Sequence, residues 1–385
     1  MEAPRRCRLA SACRRCSRHE RWRATLPPYA GEGREGAYTG ETMPKRIRLA
    51  LIGLGNVGRG FLELLTTKQE TLRSRYNLEP VVTAAADTSG AALDARGLDA
   101  ALLLARKREG QDAATYPIAG RPGLSALDTV RRAHADVLLE ASPTNLKDGE
   151  PGLSCIRAAL ARGMTVVTAN KGPLIQAYSE LTALARAQGV GLGFSATVCG
   201  ALPTVNIGRR DLIACTVERM EGIFNSTTHY ILTAMAEGRD YVGALREAQE
   251  EGVAEADPTL DVEGWDAANK LVILANSVLG IPATLADVAV EGITRLTPDD
   301  FARARAEGKV IKLLCSAERE GAGYRLAVKP TPLPREHPLA TLRGWQMGIV
   351  YHTDIMGVQF AAVDERGPVP TAAAMLRDVV NLVAS

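Results

Sequence analysis

Asp266 and Lys270 stand four residues apart in a stretch of helical composition, so their side chains share one helix face. A lysine whose neighbours tune its pKa can give and take a proton, and a carboxylate beside it can orient it or hold a substrate amine or hydroxyl. On spacing alone the pair also reads as a surface ion pair, which contributes little. An acidic loop containing Gly252, Glu255, Asp257 and Asp261 precedes it. A second group comprises Glu140-Ala-Ser-Pro-Thr144 and Thr168-Ala-Asn-Lys171. Each directly follows a predicted strand, and in open α/β sheets ligands bind outside the carboxyl ends of the strands. Ser142, Thr144 and Lys171 are therefore expected beside a ligand. Lys171 reads equally well as a solvated loop lysine.

The third group is Gly53-Leu-Gly-Asn-Val-Gly58. Gly53 permits a tight turn out of a strand, Gly55 lets backbone amides approach a pyrophosphate, and Gly58 lets helix and strand pack closely. The helix N-terminus favours the phosphate charge. Gly53, Gly55, Asn56, Val57, Gly58 and Arg59 are the expected dinucleotide contacts. Asp87 ends the second predicted strand, where an acid can accept from ribose hydroxyls and favour NAD. Arg59 could instead meet a 2′-phosphate and favour NADP, so the spacing leaves both open.

The elements that must position these groups follow from periodicity. Residues 47–52 read as a buried strand, and Val57, Phe61, Leu64 and Leu65 recur at helical spacing. Strands are predicted at 81–86, 137–139, 165–168, 190–194 and 217–225. Helices are predicted at 91–108, 153–162, 174–188, 230–237, 241–250, 265–279 and 371–384. The alternation predicts an α/β fold, a Rossmann-type doubly wound parallel sheet, with a second α+β domain for substrate and dimerisation. The expected limits are a tail over 1–43, a dinucleotide-binding domain over 44–194, a substrate and dimerisation domain over 195–350, and a C-terminal segment over 351–385.

Bulk properties exclude several classes. The formal net charge is +2, which gives no argument for a nucleic-acid partner. Apolar runs are far too short to span a bilayer. Seven cysteines without regular spacing are no disulfide framework, so a reducing cytoplasm is expected. The Arg-rich first 43 residues lack an apolar period and read as a disordered tail from an upstream start, with the natural chain beginning at Met43. Cys13 and Cys16 have the spacing of half a zinc site, and the other half is missing. No HExxH, GxSxG or Walker loop occurs. Cys199 is a loop thiol without a visible histidine partner.

Taken in order, Gly53–Gly58, Thr168–Lys171, Ser195-Ala-Thr-Val-Cys-Gly-Ala-Leu-Pro203, Asn225-Ser-Thr-Thr-His-Tyr-Ile231, Glu255-Ala-Asp-Pro258 and Asp266-Ala-Ala-Asn-Lys270 resemble the homoserine dehydrogenases. The resemblance runs from Lys45 to Ser385 and is most specific from Gly252 to Lys270. It implies reduction of L-aspartate 4-semialdehyde to L-homoserine with NADPH or NADH, on the route to threonine, methionine and isoleucine. It makes Lys270 the proton donor, assisted by Asp266. Glu255 and Asp266 bind the amino acid, Gly252 lines the substrate loop, and Lys171 sits between cofactor and substrate as a second proton-transfer candidate. It implies a homodimer and a monovalent cation such as Na+ on the backbone carbonyls of Val198, Gly200 and Leu202, where some members carry a glutamate in place of Ser195. A glycine-rich loop of the family that touches the cofactor is shortened here, and Gly367 is its best match. With no kinase or regulatory domain attached, little feedback by threonine is expected. The alternatives are another semialdehyde or amino-acid oxidoreductase on the same scaffold, including a phosphorylating one dependent on Cys199, and a nucleotide-sensing module without turnover.

Overall fold

Residues 49–52 are apolar on both sides of the chain, as a strand must be when both sheet faces are covered, and Lys45, Arg46 and Arg48 before them are exposed. In the computed structural model, which describes residues 43–251 and 254–384, residues 49–52 are the second half of β1 (Lys45–Ile52), the centre of a seven-stranded sheet. Around it lie β2 (Leu78–Asp87), β3 (Gly90–Leu93), β4 (Gly120–Pro122), β5 (Val137–Glu140), β6 (Thr165–Thr168) and β7 (Leu192–Gly193), in the order β4-β3-β2-β1-β5-β6-β7. β1 pairs in parallel with both β2 and β5, so the strand order reverses at its carboxyl end. Such a switch point opens a crevice there. Alternate residues of β1 serve opposite cores. Leu49 and Leu51 join Phe61, Leu65, Met375 and Val379, whereas Ala50 and Ile52 join Leu153, Ile156 and Leu160.

Glycine-limited stretches break the expected alternation. The predicted helix over 91–108 divides into β3 and a helix over Ala100–Arg108. Ala91 and Ala92 pair antiparallel with Ala86 and Ala85, and Gly97, at φ +125°, turns the chain before the helix begins at the Asp99 cap. The sheet is thus parallel through β2, β1, β5, β6 and β7, with an antiparallel edge at β3 and β4. The strand predicted over 190–194 pairs only at Leu192 and Gly193.

A second sheet comprises β8 (Val217–Ile223), β9 (Val288–Val290), β10 (Lys309–Glu320), β11 (Gly323–Pro334), β12 (Met347–Thr353) and β13 (Val358–Val363), in the order β13-β12-β8-β10-β11-β9. One face buries Met220, Leu313, Cys315 and Ala317 against Ile231, Leu232, Leu271, Leu274 and Phe301 of the covering helices. The opposite face carries a smaller apolar cluster around Ile223, Leu314, Leu339 and Val350. A boundary after residue 350 would cut β12. The second sheet runs on to Val363, and the part that returns to the first sheet is the helix over Val369–Val383. Its Ala372, Met375 and Val379 pack with Phe61 and Leu65. A methyl group at Gly60 would lie 3.2 Å from Ala372 Cβ, so glycine permits this close helix approach.

Candidate active site

Five helices carry or flank the site: α1 (Asn56–Thr67), α2 (Lys171–Ala187), α3 (Ser226–Ala236), α4 (Trp265–Leu274) and α5 (Val369–Val383). At the switch point, β1 runs through Gly53 into α1. Gly53 sits at φ +92°, and a Cβ there would fall 2.3 Å from Ala141 O. A Cβ on Gly58 would fall 2.0 Å from Gly53 O, so both glycines are fixed by backbone contact. Gly55 differs: a methyl there meets no protein atom within 4 Å. Gly55 is also the N-cap of α1 and makes no side-chain capping bond, which leaves the first-turn amides free for an anion. The loop faces a cleft of about 1000 Å³ that Asp87, Lys107, Ser142, Thr144 and Glu255 also line. Its size and free amides fit a nicotinamide dinucleotide.

Asp87 lies at the end of β2, where the sequence puts an acceptor for ribose. Its carboxylate is already engaged. Oδ2 accepts from Lys107 Nζ at 2.8 Å and from Ala113 N at 2.9 Å, and Oδ1 accepts from Ser89 N and Oγ at 3.0 and 2.7 Å. Burial opposes its charge, but Lys107 and the other donors hold the carboxyl below its ordinary range. Arg59 bonds sideways to Asn56 Oδ1 at 2.7 Å. Gly367, at φ +72°, has no protein atom near a Cβ position and sits just before α5.

The loops after β5 and β6 are tied together by Glu140, which is fully buried. Its carboxylate accepts from Ser142 N at 2.9 Å, from Ser142 Oγ, and from Thr168 Oγ1 at 2.8 Å. Burial raises its pKa, and these bonds oppose the rise. Asn170 caps α2 through Gly172 N and reaches Ser142 Oγ at 3.3 Å. Lys171, the first residue of α2, is thereby fixed beside the cleft.

Lys171 meets the other half of the site in Asp266. Its Nζ is 3.1 Å from Asp266 Oδ1, and Lys270 Nζ is 2.7 Å from Asp266 Oδ2. The three side chains are 22%, 14% and 13% exposed for Lys171, Asp266 and Lys270, enough for a substrate to reach them. Burial disfavours the Asp266 charge, yet the two lysines outweigh it and hold the carboxyl far below its usual range. Against the same penalty, Asp266 above all holds Lys270 well above an ordinary lysine. Lys270 also donates to Phe224 O at 2.7 Å. Asn225, the cap of α3, donates to Asp261 Oδ1 at 2.6 Å and to Asp266 Oδ2 at 2.9 Å. Burial, and then the Asp266 charge, raise Asp261. The cluster can therefore present a protonated ammonium to an oxygen while its carboxylates take up a cationic group.

Of the site residues read from the sequence, Gly53, Gly55, Asn56, Val57, Asp87, Ser142 and Thr144 line the dinucleotide cleft, Lys171, Asp266 and Lys270 form the cluster, and Gly58, Arg59 and Gly367 do not line the cleft. Glu255 lines the cleft, whereas Gly252 and the tail bearing Cys13 and Cys16 lie outside the described residues. Val198, Gly200 and Leu202 form one turn below the cluster. Thr204 donates to Val198 O from Oγ1 at 3.3 Å and to Leu202 O from N at 2.8 Å. Asn225, Asp261 and Glu140 fall within stretches singled out in the sequence but have no role assigned there, and Lys107 is not singled out at all. An acid closing a buried strand is a visible signal for Glu140. Lys107, twenty residues from Asp87, carries none.

Cys199 lies against this cluster without the features of a nucleophile. Its thiol donates to Phe224 O at 3.6 Å, and burial pushes it up to about 12. A thiol that stays protonated cannot attack a carbonyl. Cys199→Ala is expected to keep kcat within about tenfold of the parent, since no covalent step is lost. A fall of three orders of magnitude in steady-state turnover would restore Cys199 as a nucleophile.

Fold and site together define a Rossmann-type, NAD(P)-dependent oxidoreductase. The profile of the homoserine dehydrogenase NAD-binding domain matches residues 53–195, and that of homoserine dehydrogenase matches residues 203–380. A homoserine dehydrogenase of Methanocaldococcus jannaschii is 38% identical over 338 residues, covering 88% of this chain and 98% of that protein. The crystal structure of a putative homoserine dehydrogenase from Archaeoglobus fulgidus superposes with a TM-score of 0.80 at 41% identity, covering 88% of this chain and all of that one. A hyperthermophilic archaeal homoserine dehydrogenase in complex with NADPH superposes with a TM-score of 0.76 at 25% identity, over 88% and 98% of the two chains. The chain belongs to the homoserine dehydrogenase family.

Proposed function

We propose that the chain interconverts L-aspartate 4-semialdehyde and L-homoserine, with Lys270 as the group that gives a proton to the aldehyde oxygen and takes it back in the reverse direction. The observation that carries this reading is the Lys171–Asp266–Lys270 cluster, in which one carboxylate holds two ammonium groups beside the dinucleotide cleft. A bound nicotinamide supplies or accepts the hydride. Asp266 and Glu255 bind the substrate ammonium, and Asn225 keeps Asp266 and Asp261 facing each other. Lys171 steadies Asp266 from the cofactor side. A purified chain is expected to reduce NAD or NADP only when homoserine is present. Dinucleotide binding without homoserine-dependent turnover would leave a nucleotide-sensing module instead.

The cofactor choice rests on Lys107. Asp87 has given its acceptor positions to Lys107, Ser89 and Ala113. A 2′-phosphate near β2 would meet an ammonium rather than a bare carboxylate, so NADP(H) is used at least as well as NAD(H). Lys107→Met removes that ammonium and frees Asp87 for ribose hydroxyls. A charge-assisted hydrogen bond contributes about 1.5–3 kcal/mol, so KM for NADP should rise about 10- to 100-fold while KM for NAD is unchanged or falls. Equal changes in both constants would remove Lys107 from this role.

The 198–202 turn suits a monovalent cation. Val198, Gly200 and Leu202 offer carbonyl oxygens with lone pairs to spare, and Glu365, whose Oε2 accepts from Ala201 N at 2.8 Å, brings a carboxylate beside Gly200. Ser195 carries no charge of its own, and its hydroxyl donates to Asp378. A homodimer through the second sheet would cover Ile355, Met356, Val358 and Phe360, which stand exposed around β13. The four described cysteines are free, in keeping with a reducing cytoplasm. Among the described residues no helix is long and apolar enough to cross a membrane.

A further inference from the structure

A cationic cavity lies on the second sheet, built from residues that the reaction does not use. Lys312 on β10 is 6% exposed. Its Nζ is 2.8 Å from His229 Nε2 and donates to Leu342 O at 2.7 Å. An ammonium has three donors, and the third finds no acceptor among the described residues. No carboxylate stands within ion-pair distance of it among those residues. Burial, followed by the like charge of Arg343, pulls Lys312 down to about 8, so it remains cationic at neutral pH. Burial and Lys312 hold His229 at about 3, which makes the ring a neutral acceptor and not a counter-ion. A buried ammonium without an opposite charge is costly, and proteins ordinarily pair it.

The missing charge has room to enter. Lys312 borders a cavity of about 450 Å³ whose lining includes Arg305, Lys309, Arg335 and Arg343. The Arg335 and Arg343 side chains have no hydrogen-bonded or ion-paired partner among the described residues. The one acid in the lining, Glu237, faces Arg239 at 3.5 Å. Of the five cations, Lys309 is paired with Glu307 at 2.8 Å and Arg305 donates to Ala236 O at 2.6 Å, which leaves Lys312, Arg335 and Arg343 facing a space large enough for a small ligand.

We propose that this cavity binds a small oxyanion bearing two or more negative charges, phosphate or polycarboxylate in class, held by Lys312, Arg335 and Arg343. Guanidinium groups suit such ligands because they offer paired donors in a plane, and the buried ammonium supplies a point charge at the floor. The cavity also touches the machinery of the reaction at one remove. His229 lies one turn along α3 from its cap Asn225, and its N–H donates to Asn225 O at 3.2 Å. An anion drawn to Lys312 therefore acts on the helix whose first residues order Asp261 and Asp266.

The test is calorimetric titration of the intact chain with inorganic phosphate and, separately, citrate at constant ionic strength. NADPH is kept saturating, so that phosphate cannot occupy the pyrophosphate position. One saturable anion per chain is expected, and the anion that binds identifies the class. Lys312→Met should weaken binding at least tenfold. Arg335→Gln, at an exposed position, should weaken it measurably without altering the thermal midpoint, which guards against a folding defect in the first variant. Turnover without added anion should stay within twofold in Arg335→Gln. Absence of saturable binding by either anion overturns the proposal, and so does binding that both variants retain in full.

Discussion

Lys270→Ala is expected to lower kcat for both directions of the homoserine reaction by about 10²- to 10⁴-fold, the contribution of one positioned proton donor. KM for the dinucleotide should change little, because Lys270 sits with Asp266 and Phe224 O rather than in the glycine loop. The direction of the pKa shift adds a second signature. Asp266 holds Lys270 above its ordinary value, so the ammonium is fully protonated at neutral pH and ready to donate. Aldehyde reduction should therefore be flat through neutrality. Homoserine oxidation needs the neutral amine, so its rate should keep rising with pH into the alkaline range. Steady-state pH profiles in both directions measure this. A near-normal kcat in the variant would take the proton step away from Lys270.

Asp266→Asn is the second large effect, and it reads out the same charge from the other side. Asn preserves shape but removes the anion shared by Lys171 and Lys270. Loss of an opposite charge shifts a pKa by about 1–3 units, so the alkaline limb of homoserine oxidation should move to lower pH. Turnover at neutral pH should still fall, because the substrate ammonium loses a carboxylate. Breaking a fully buried pair costs about 3–5 kcal/mol, and partial exposure here reduces the expected loss to about 2–3 kcal/mol. That loss depends on pH. The depressed Asp266 contributes stability above the ordinary aspartate value and loses it only in acid. The raised Lys270 contributes below the ordinary lysine value and loses it only in strong alkali. The difference between parent and variant in chemical denaturation should thus be constant from about pH 5 to about pH 9. An alkaline limb unmoved by the substitution would mean that Lys270 owes nothing to Asp266.

The glycine loop is legible in the sequence because each glycine answers a local need. Gly53 requires its turn and Gly58 its close contact, and both lie within six residues of one another. The pairing of Asp266 with Lys270 is legible for a similar reason, since a helix places residues four apart on one face. Where two local tendencies compete, composition misleads. Residues 91–108 have helical composition, yet Ala91 and Ala92 form a strand because β2 and β4 lie on either side of them to be paired.

By itself the sequence determined the strand–loop–helix that meets the dinucleotide, the order of the motifs, and the lysine that faces Asp266 on its own helix. Only the tertiary structure brought Lys171 to Asp266 across ninety-five residues, placed Lys107 on Asp87, made Asn225 the link between two aspartates, and put Glu140 beneath two loops. Covalent geometry alone sets spacing within one helix or turn. Distances between elements depend on sheet register and core packing, to which residues throughout the chain contribute at once.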